Sequence, residues 1–212
     1  MKRILLIALA TVLVFTLASA AWYYSKLYNK KNHVTSVVRE DKTLKVLKEH
    51  AGNMLSYARK NNYNTSLCFL VNMQIASGTN RFFVYDWQND SVTDAGLVTH
   101  GRCNKNWLSG RQYDNKIGCG CTSLGKYKIG KSYQGRFGLA YKLHGLDSSN
   151  SNAFKRFVVL HSHDCVPNEE VDPYPICQSD GCPTVSPAFL KKLASIIDAS
   201  PKPILLCIVD DQ

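Results

Sequence analysis

The spacing of apolar and polar positions changes twice along this chain. Near the N-terminus an uncharged apolar run extends from Ile4 to Tyr24, with Lys2 and Arg3 before it and Lys26, Lys30 and Lys31 after it. From Val34 to Lys60 the pattern predicts a charged, weakly amphipathic helix with Leu44, Leu47, Met54 and Leu55 as its apolar side, ended by Asn61 to Asn64. This helix either packs on the domain or spaces it from a membrane. From Ser66 onward short β segments separated by turn residues take over: L-C-F-L-V-N-M-Q-I, R-F-F-V-Y-D, a W-Q-N-D-S turn and V-T-D-A-G-L-V-T-H-G, in the manner of a β meander. G-K-Y-K-I-G-K-S-Y and L-A-Y-K-L alternate, and F-V-V-L-H reads as a short buried strand. A late helix opens with Ser186 as N-cap and Pro187 at its first position, and Phe189, Leu190, Leu193, Ile196 and Ile197 form its apolar face. P-I-L-L-C-I-V is a last buried strand. The pattern therefore predicts a mainly β domain with a late α-helix over residues 62–212, a helical spacer over 25–61 and an apolar segment over 1–24.

Composition adds compartment and partners. The apolar run is about 21 residues, long enough to span a bilayer as an uncleaved anchor with Trp22, Tyr23 and Tyr24 at an interface. The alternative is a secretory signal with Ala18-Ser19-Ala20 as the cleavage site. Both readings send the rest of the chain out of the cytoplasm, to the cell envelope or periplasm. A formal net charge of +10 would suit nucleic acid, anionic lipid or an acidic polymer. No basic helix with interleaved aromatics supports nucleic acid, so acidic wall polymer is the better match. Eight cysteines in an exported chain suggest disulfides. Cys165 and Cys177 bracket the loop between His161 and Cys182; a bridge there would stiffen it, and buried or free thiols are the alternative.

Three motifs carry candidate chemistry. Gly125 to Ser132, G-K-Y-K-I-G-K-S, matches the phosphate-loop pattern literally, but its residues alternate like a strand and no helix follows to supply N–H groups to a phosphate. His161-Ser162-His163-Asp164, with Cys165, Cys177 and Cys182 downstream, makes zinc chemically conceivable, yet no other histidine cluster completes the ligand set. We expect no metal and no cofactor. The third motif pairs His161, at the end of an apolar strand, with Cys182 in a Gly-containing turn. A thiol needs a nearby imidazole to become a nucleophile at neutral pH. Spacing alone leaves a disulfide at Cys182 and a capped core histidine equally open.

Beyond spacing, Phe82 to Val209 resembles the murein L,D-transpeptidase (YkuD-type) family, particularly its branch with G-C-P at the nucleophile. The resemblance is carried, in order, by G-L-V-T-H-G (Gly96 to Gly101), T-S-L-G-K-Y-K-I-G (Thr122 to Gly130), L-H-G-L-D (Leu143 to Asp147), V-V-L-H (Val158 to His161) and S-D-G-C-P (Ser179 to Pro183). It implies an L,D-transpeptidase β-sandwich or barrel acting on peptidoglycan stem peptides. It further implies Cys182 as nucleophile and His161 as base, oriented by the Ser162 carbonyl, with the Gly181 and Cys182 N–H groups and the Ser179 hydroxyl as oxyanion donors. His163 is a rival base, and His100 is read as structural. Asp180 stands where many members carry His or an aromatic, and its charge would raise the thiol pKa. Pro183-Thr184 stands where many carry Arg or Asn. The implied reaction is 3–3 cross-linking through a thioacyl enzyme; the same chemistry with water as acceptor, or a non-catalytic wall-binding module with Cys182 locked in a disulfide, are the alternatives.

Overall fold

The computed structural model describes residues 16–25 and 42–211. Eight strands form one mixed sheet: β1 (Leu67–Asn72), β2 (Phe82–Asp86), β3 (Ser91–Gly96), β4 (Gly125–Gly135), β5 (Gly138–Gly145), β6 (Val159–Ser162), β7 (Thr184–Val185) and β8 (Leu205–Val209). Their spatial order is β3-β2-β1-β8-β4-β5-β6-β7. The first three are the expected antiparallel meander. The last strand inserts between β1, to which it runs parallel, and β4, to which it runs antiparallel. Strands β1 and β8 thus lie inside the sheet with both faces covered, which is why their sequences are nearly unbroken apolar runs.

Period-two alternation sorts their side chains between two cores. One face presents Phe69, Val71, Leu206 and Ile208, packed with Phe82, Tyr127 and Tyr141 against Phe189, Leu190 and Leu193 of the late helix (Pro187–Ala199). The other presents Cys68, Leu70, Leu205 and Cys207 to a helix over residues 42–60. Leu47, Ala51, Met54 and Ala58 recur on one side of that helix at helical spacing and are buried there. Residues 47–60 therefore take the packing role, and Leu55 is only half-buried.

Two details set the shape of the functional end. Val98, two residues beyond β3, forms an antiparallel bridge with Val185 of β7, so the two edges of the sheet meet and the sheet closes like a barrel around its inner core. Gly96 has the Phe189 ring 2.5 Å from where a Cβ would stand, a close approach only glycine permits. The late helix begins as expected, with the Ser186 Oγ accepting from the Phe189 N–H at 3.2 Å.

The segment F-V-V-L-H is strand only from Val159. Phe157 takes φ 57 and turns the chain before β6 begins. The phosphate-loop-like segment lies within β4, so its backbone N–H groups serve the sheet and no helix follows. Most of the apolar run Ile4 to Tyr24 lies outside the described residues; residues 16–25 are helical. Among the described residues no helix is long and apolar enough to cross a membrane. Contacts divide the chain into two units, Met1–Val46 and Leu47–Gln212.

Candidate active site

Parallel pairing of β6 with β7 sets His161 opposite Thr184, two residues beyond Cys182. The turn leading to Cys182 is held by its own groups. The Ser179 hydroxyl donates to the Cys182 carbonyl at 2.7 Å and accepts from the Gly181 N–H at 3.2 Å. Gly181 has φ 106, and a Cβ there would lie 2.5 Å from the Cys121 carbonyl oxygen and 3.2 Å from an Arg156 guanidinium nitrogen. A side chain is excluded twice over. The segment Thr99 to Arg102 runs alongside as a splint. The Thr99 N–H donates to the Thr184 carbonyl at 2.9 Å, and the Thr99 hydroxyl donates to the Cys182 carbonyl at 3.2 Å. The Ser179 N–H donates to the His100 carbonyl, and the Arg102 N–H to the Ser179 carbonyl, both at 2.9 Å.

His161 is buried, and both of its ring nitrogens are engaged. Its Nδ1 lies 3.0 Å from the Ser162 carbonyl, as the resemblance implies. A carbonyl only accepts, so the proton sits on Nδ1 and the lone pair on Nε2, which faces the Thr184 hydroxyl at 3.0 Å. Burial pulls the imidazole pKa below the usual histidine range; the Ser162 carbonyl opposes this, and His163 adds to it. The ring is therefore neutral and basic at neutral pH. Phe137, at the tip of the β4–β5 hairpin, stacks on it at 5.2 Å between centroids. His163 is exposed, and its Nδ1 accepts from the Cys165 N–H at 3.1 Å.

Cys182 is a free thiol, half-buried beside the start of β6. Its Sγ contacts the Phe157 carbonyl at 3.7 Å. Burial pushes its pKa up, the Val159 N–H and the Arg156 guanidinium pull it down, and Asp180 pushes it up with the smallest effect. The expectation for Asp180 has the right sign and a minor weight. Its carboxylate pairs with Arg102 at 2.7 Å, at the surface.

The fold thus brings Cys182, His161, Ser162, Ser179 and Gly181 to one end of the barrel, but not into the contacts the sequence suggests. Cys182 and His161 make no direct hydrogen bond: the thiol faces Phe157 and the imidazole lone pair faces Thr184. Two of the three expected oxyanion donors, the Gly181 N–H and the Ser179 hydroxyl, are engaged within the turn. Sequence reasoning missed Thr99 and Arg156. It noted Thr184 only as a departure. Arg156 sits in K-R-F-V-V-L-H, and a charged residue directly before a buried strand was a usable signal. Thr99 lies within the G-L-V-T-H-G motif, but nothing in the sequence gives its hydroxyl a role, which depends on the edges of the sheet meeting.

The cysteines resolve into two bridges, Cys103–Cys121 and Cys165–Cys177, and four free thiols, Cys68, Cys119, Cys182 and Cys207. The second bridge ties the loop between His161 and Cys182, and it removes two of the thiols a zinc site would need. Among the described residues no three His, Cys, Asp or Glu side chains converge as metal ligands.

Comparison with curated proteins returns no match. Solved structures that align include the helical cell shape determining protein Pgp2 from Campylobacter jejuni, at 12% identity over 69% of this chain and 48% of that one, with TM-score 0.45. An L,D-transpeptidase from Xylanimonas cellulosilytica aligns at 13% identity over 73% and 68%, with TM-score 0.37. One from Mycobacterium smegmatis aligns at 13% over 68% and 58%, with TM-score 0.39. The chain spans about half the length of the first of these. Such distant alignments add nothing to the assignment, which rests on a family model. That model, the L,D-transpeptidase catalytic domain, matches residues 39–202, and the chain belongs to this family.

Proposed function

We propose that this protein is an exported cysteine acyltransferase that remodels peptidoglycan stem peptides. One observation carries the reading: the free thiol of Cys182 stands two residues before Thr184, the residue that pairs with the neutral, buried His161 across β6 and β7. A free Cys182 also counts against the non-catalytic module, which needed that cysteine locked in a disulfide.

In this reading the Cys182 Sγ attacks the carbonyl of the third residue of a stem tetrapeptide while its proton passes to His161 Nε2. The Thr184 hydroxyl caps that nitrogen in the resting site and yields it when substrate draws the thiol round; catalytic hydrogen bonds commonly tighten only in the complex. The Cys182 N–H makes no hydrogen bond among the described residues and is the donor free to meet the oxyanion. Collapse of the tetrahedral intermediate expels the terminal D-alanine, whose amine takes the proton from Nε2, and leaves a thioester. An amine from a neighbouring stem attacks the thioester, gives its proton to Nε2 and forms the 3–3 link as the thiol is restored. Export is supported by the basic pair before the apolar run and by the two disulfides.

Intact mass after exposure to a carbapenem tests the site. One adduct is expected on the wild type and none on Cys182→Ala. An adduct that survives in the variant, or a wild type that takes none, overturns the reading. Tetrapeptide muropeptides then separate acceptors, since dimers report an amine and tripeptides report water.

A further inference from the structure

The segment Thr99 to Arg102 has a second side. While its backbone splints the Cys182 turn, the His100 ring lines a cavity of about 260 Å³ together with Ser77, Arg81, Trp107, Arg111 and Gln178. Arg81 is fully buried. Its Nε and Nη2 donate to the Val98 carbonyl at 2.9 and 2.7 Å, and its Nη1 donates to the Ile75 carbonyl at 3.2 Å. Nη2 also donates to His100 Nδ1 at 3.1 Å. These four bonds leave one Nη1 N–H without an acceptor among the described residues.

The guanidinium also decides the state of His100. It can only donate, so Nδ1 carries the lone pair and the ring proton sits on Nε2, directed at the Gly110 carbonyl. The Gln178 side-chain amide nitrogen, held by its own bonds to Leu108, stands 3.2 Å from that Nε2 as a contact and not as its acceptor. Burial first, then the charges of Arg81 and Arg111, hold the His100 pKa at about 4, so the ring is neutral. The cavity therefore carries two positive charges and no acid in its lining. Among the described residues neither arginine forms an ion pair. Asp210 acts on Arg81 electrostatically, but its carboxylate accepts from the Tyr113 hydroxyl at 2.5 Å. A buried guanidinium without a paired anion is costly, and a second arginine beside it adds repulsion. A ligand carboxylate relieves both.

We propose that this cavity is a subsite for a carboxylate of the peptide that Cys182 processes, bound between the free N–H of Arg81 and the exposed Arg111, with Trp107 as its apolar wall. The identity of the peptide rests on the function proposed above; the carboxylate chemistry rests on the cavity alone. His100 is then more than structural, because its ring orders Arg81 while its carbonyl holds the turn of the nucleophile.

The test is an NMR titration of the full-length protein, following the Trp107 indole N–H, with N-acetyl-D-alanine, N-acetyl-D-alaninamide and free D-alanine. The acid is expected to bind at least about tenfold more tightly than the amide. Arg111→Gln, a change at an exposed position, is expected to remove that preference without lowering Tm. Equal binding of acid and amide, or an unchanged preference in Arg111→Gln, overturns the subsite. Free D-alanine binding more tightly than its N-acetyl form overturns the assignment to a peptide carboxylate. Carbapenem acylation of Cys182, read on the same sample, reports on the catalytic proposal separately: a protein that acylates but shows no acid preference refutes the subsite alone.

Discussion

Two regions of this domain hold free thiols under burial, in different electrostatic surroundings. Beneath residues 47–60, Cys68 and Cys207 lie on adjacent strands in a mainly apolar layer. Burial pushes the Cys207 thiol up to about 12, and it pushes Cys68 higher still with Cys207 adding to the effect. At the edge where β6 meets β7, Cys182 is also pushed up by burial, but the Val159 N–H and the Arg156 guanidinium pull it back, and the neutral His161 lies across the strand pair. Depth alone makes a thiol inert. Reactivity comes from fixed donors and a base, which only a strand edge leaves room for.

The largest expected effects break this contrast outright if they fail. Replacing Cys182 by Ala should lower turnover by at least about a thousandfold and abolish the carbapenem adduct. Cys207→Ala should leave both intact, and loss of acylation in that variant would show that the two regions are not chemically distinct. His161→Gln should cost several hundredfold, on the order of a general base removed. Because burial lowers the His161 pKa and the base acts as neutral imidazole, wild-type kcat/KM should fall on the acid side only below the usual histidine value of about 6.5. An acid limb centred above that value would assign the base elsewhere.

Smaller effects sharpen the comparison. His100 binds its proton more weakly in the folded state, at about 4, than in the unfolded chain. Its contribution to stability is therefore full above about pH 6.5 and is lost as pH falls toward 4, by on the order of 3 kcal/mol. Urea midpoints at pH 7 and pH 4.5 should differ less in His100→Gln than in the wild type; equal differences would remove the histidine from the account. Cys207→Ala should cost about 1 to 2 kcal/mol of stability through lost packing, read from the same midpoints. Asp180→Asn should do least, since the carboxylate is exposed and paired with Arg102: no more than about a threefold faster alkylation of Cys182 by iodoacetamide.

Much of the fold was legible because it is locally encoded. The Ser186-Pro187 start of the late helix, the β1–β3 meander and the doubly buried β8 run all follow from spacing and propensity, and each is present. The beginning of β6 was not legible, because the left-handed conformation of Phe157 is imposed by the turn that carries its carbonyl to Cys182. The role of Thr99, within the G-L-V-T-H-G motif, was not legible for a similar reason: its hydroxyl matters only because Val98 bridges to Val185.

The sequence by itself determined the mainly β character, the Ser186-Pro187 start of the late helix, the Cys182 and His161 candidates and the family resemblance, since these depend on residue identity and short-range order. Tertiary structure decided which cysteines pair, that the Ser179–Cys182 turn occupies two of its own donors, that Thr184 rather than Cys182 meets His161 Nε2, and that Arg81 lies buried against His100. The reason is physical. Hydrogen-bond partners, desolvation and charge coupling depend on distances between residues far apart in the chain, and no local pattern encodes those distances.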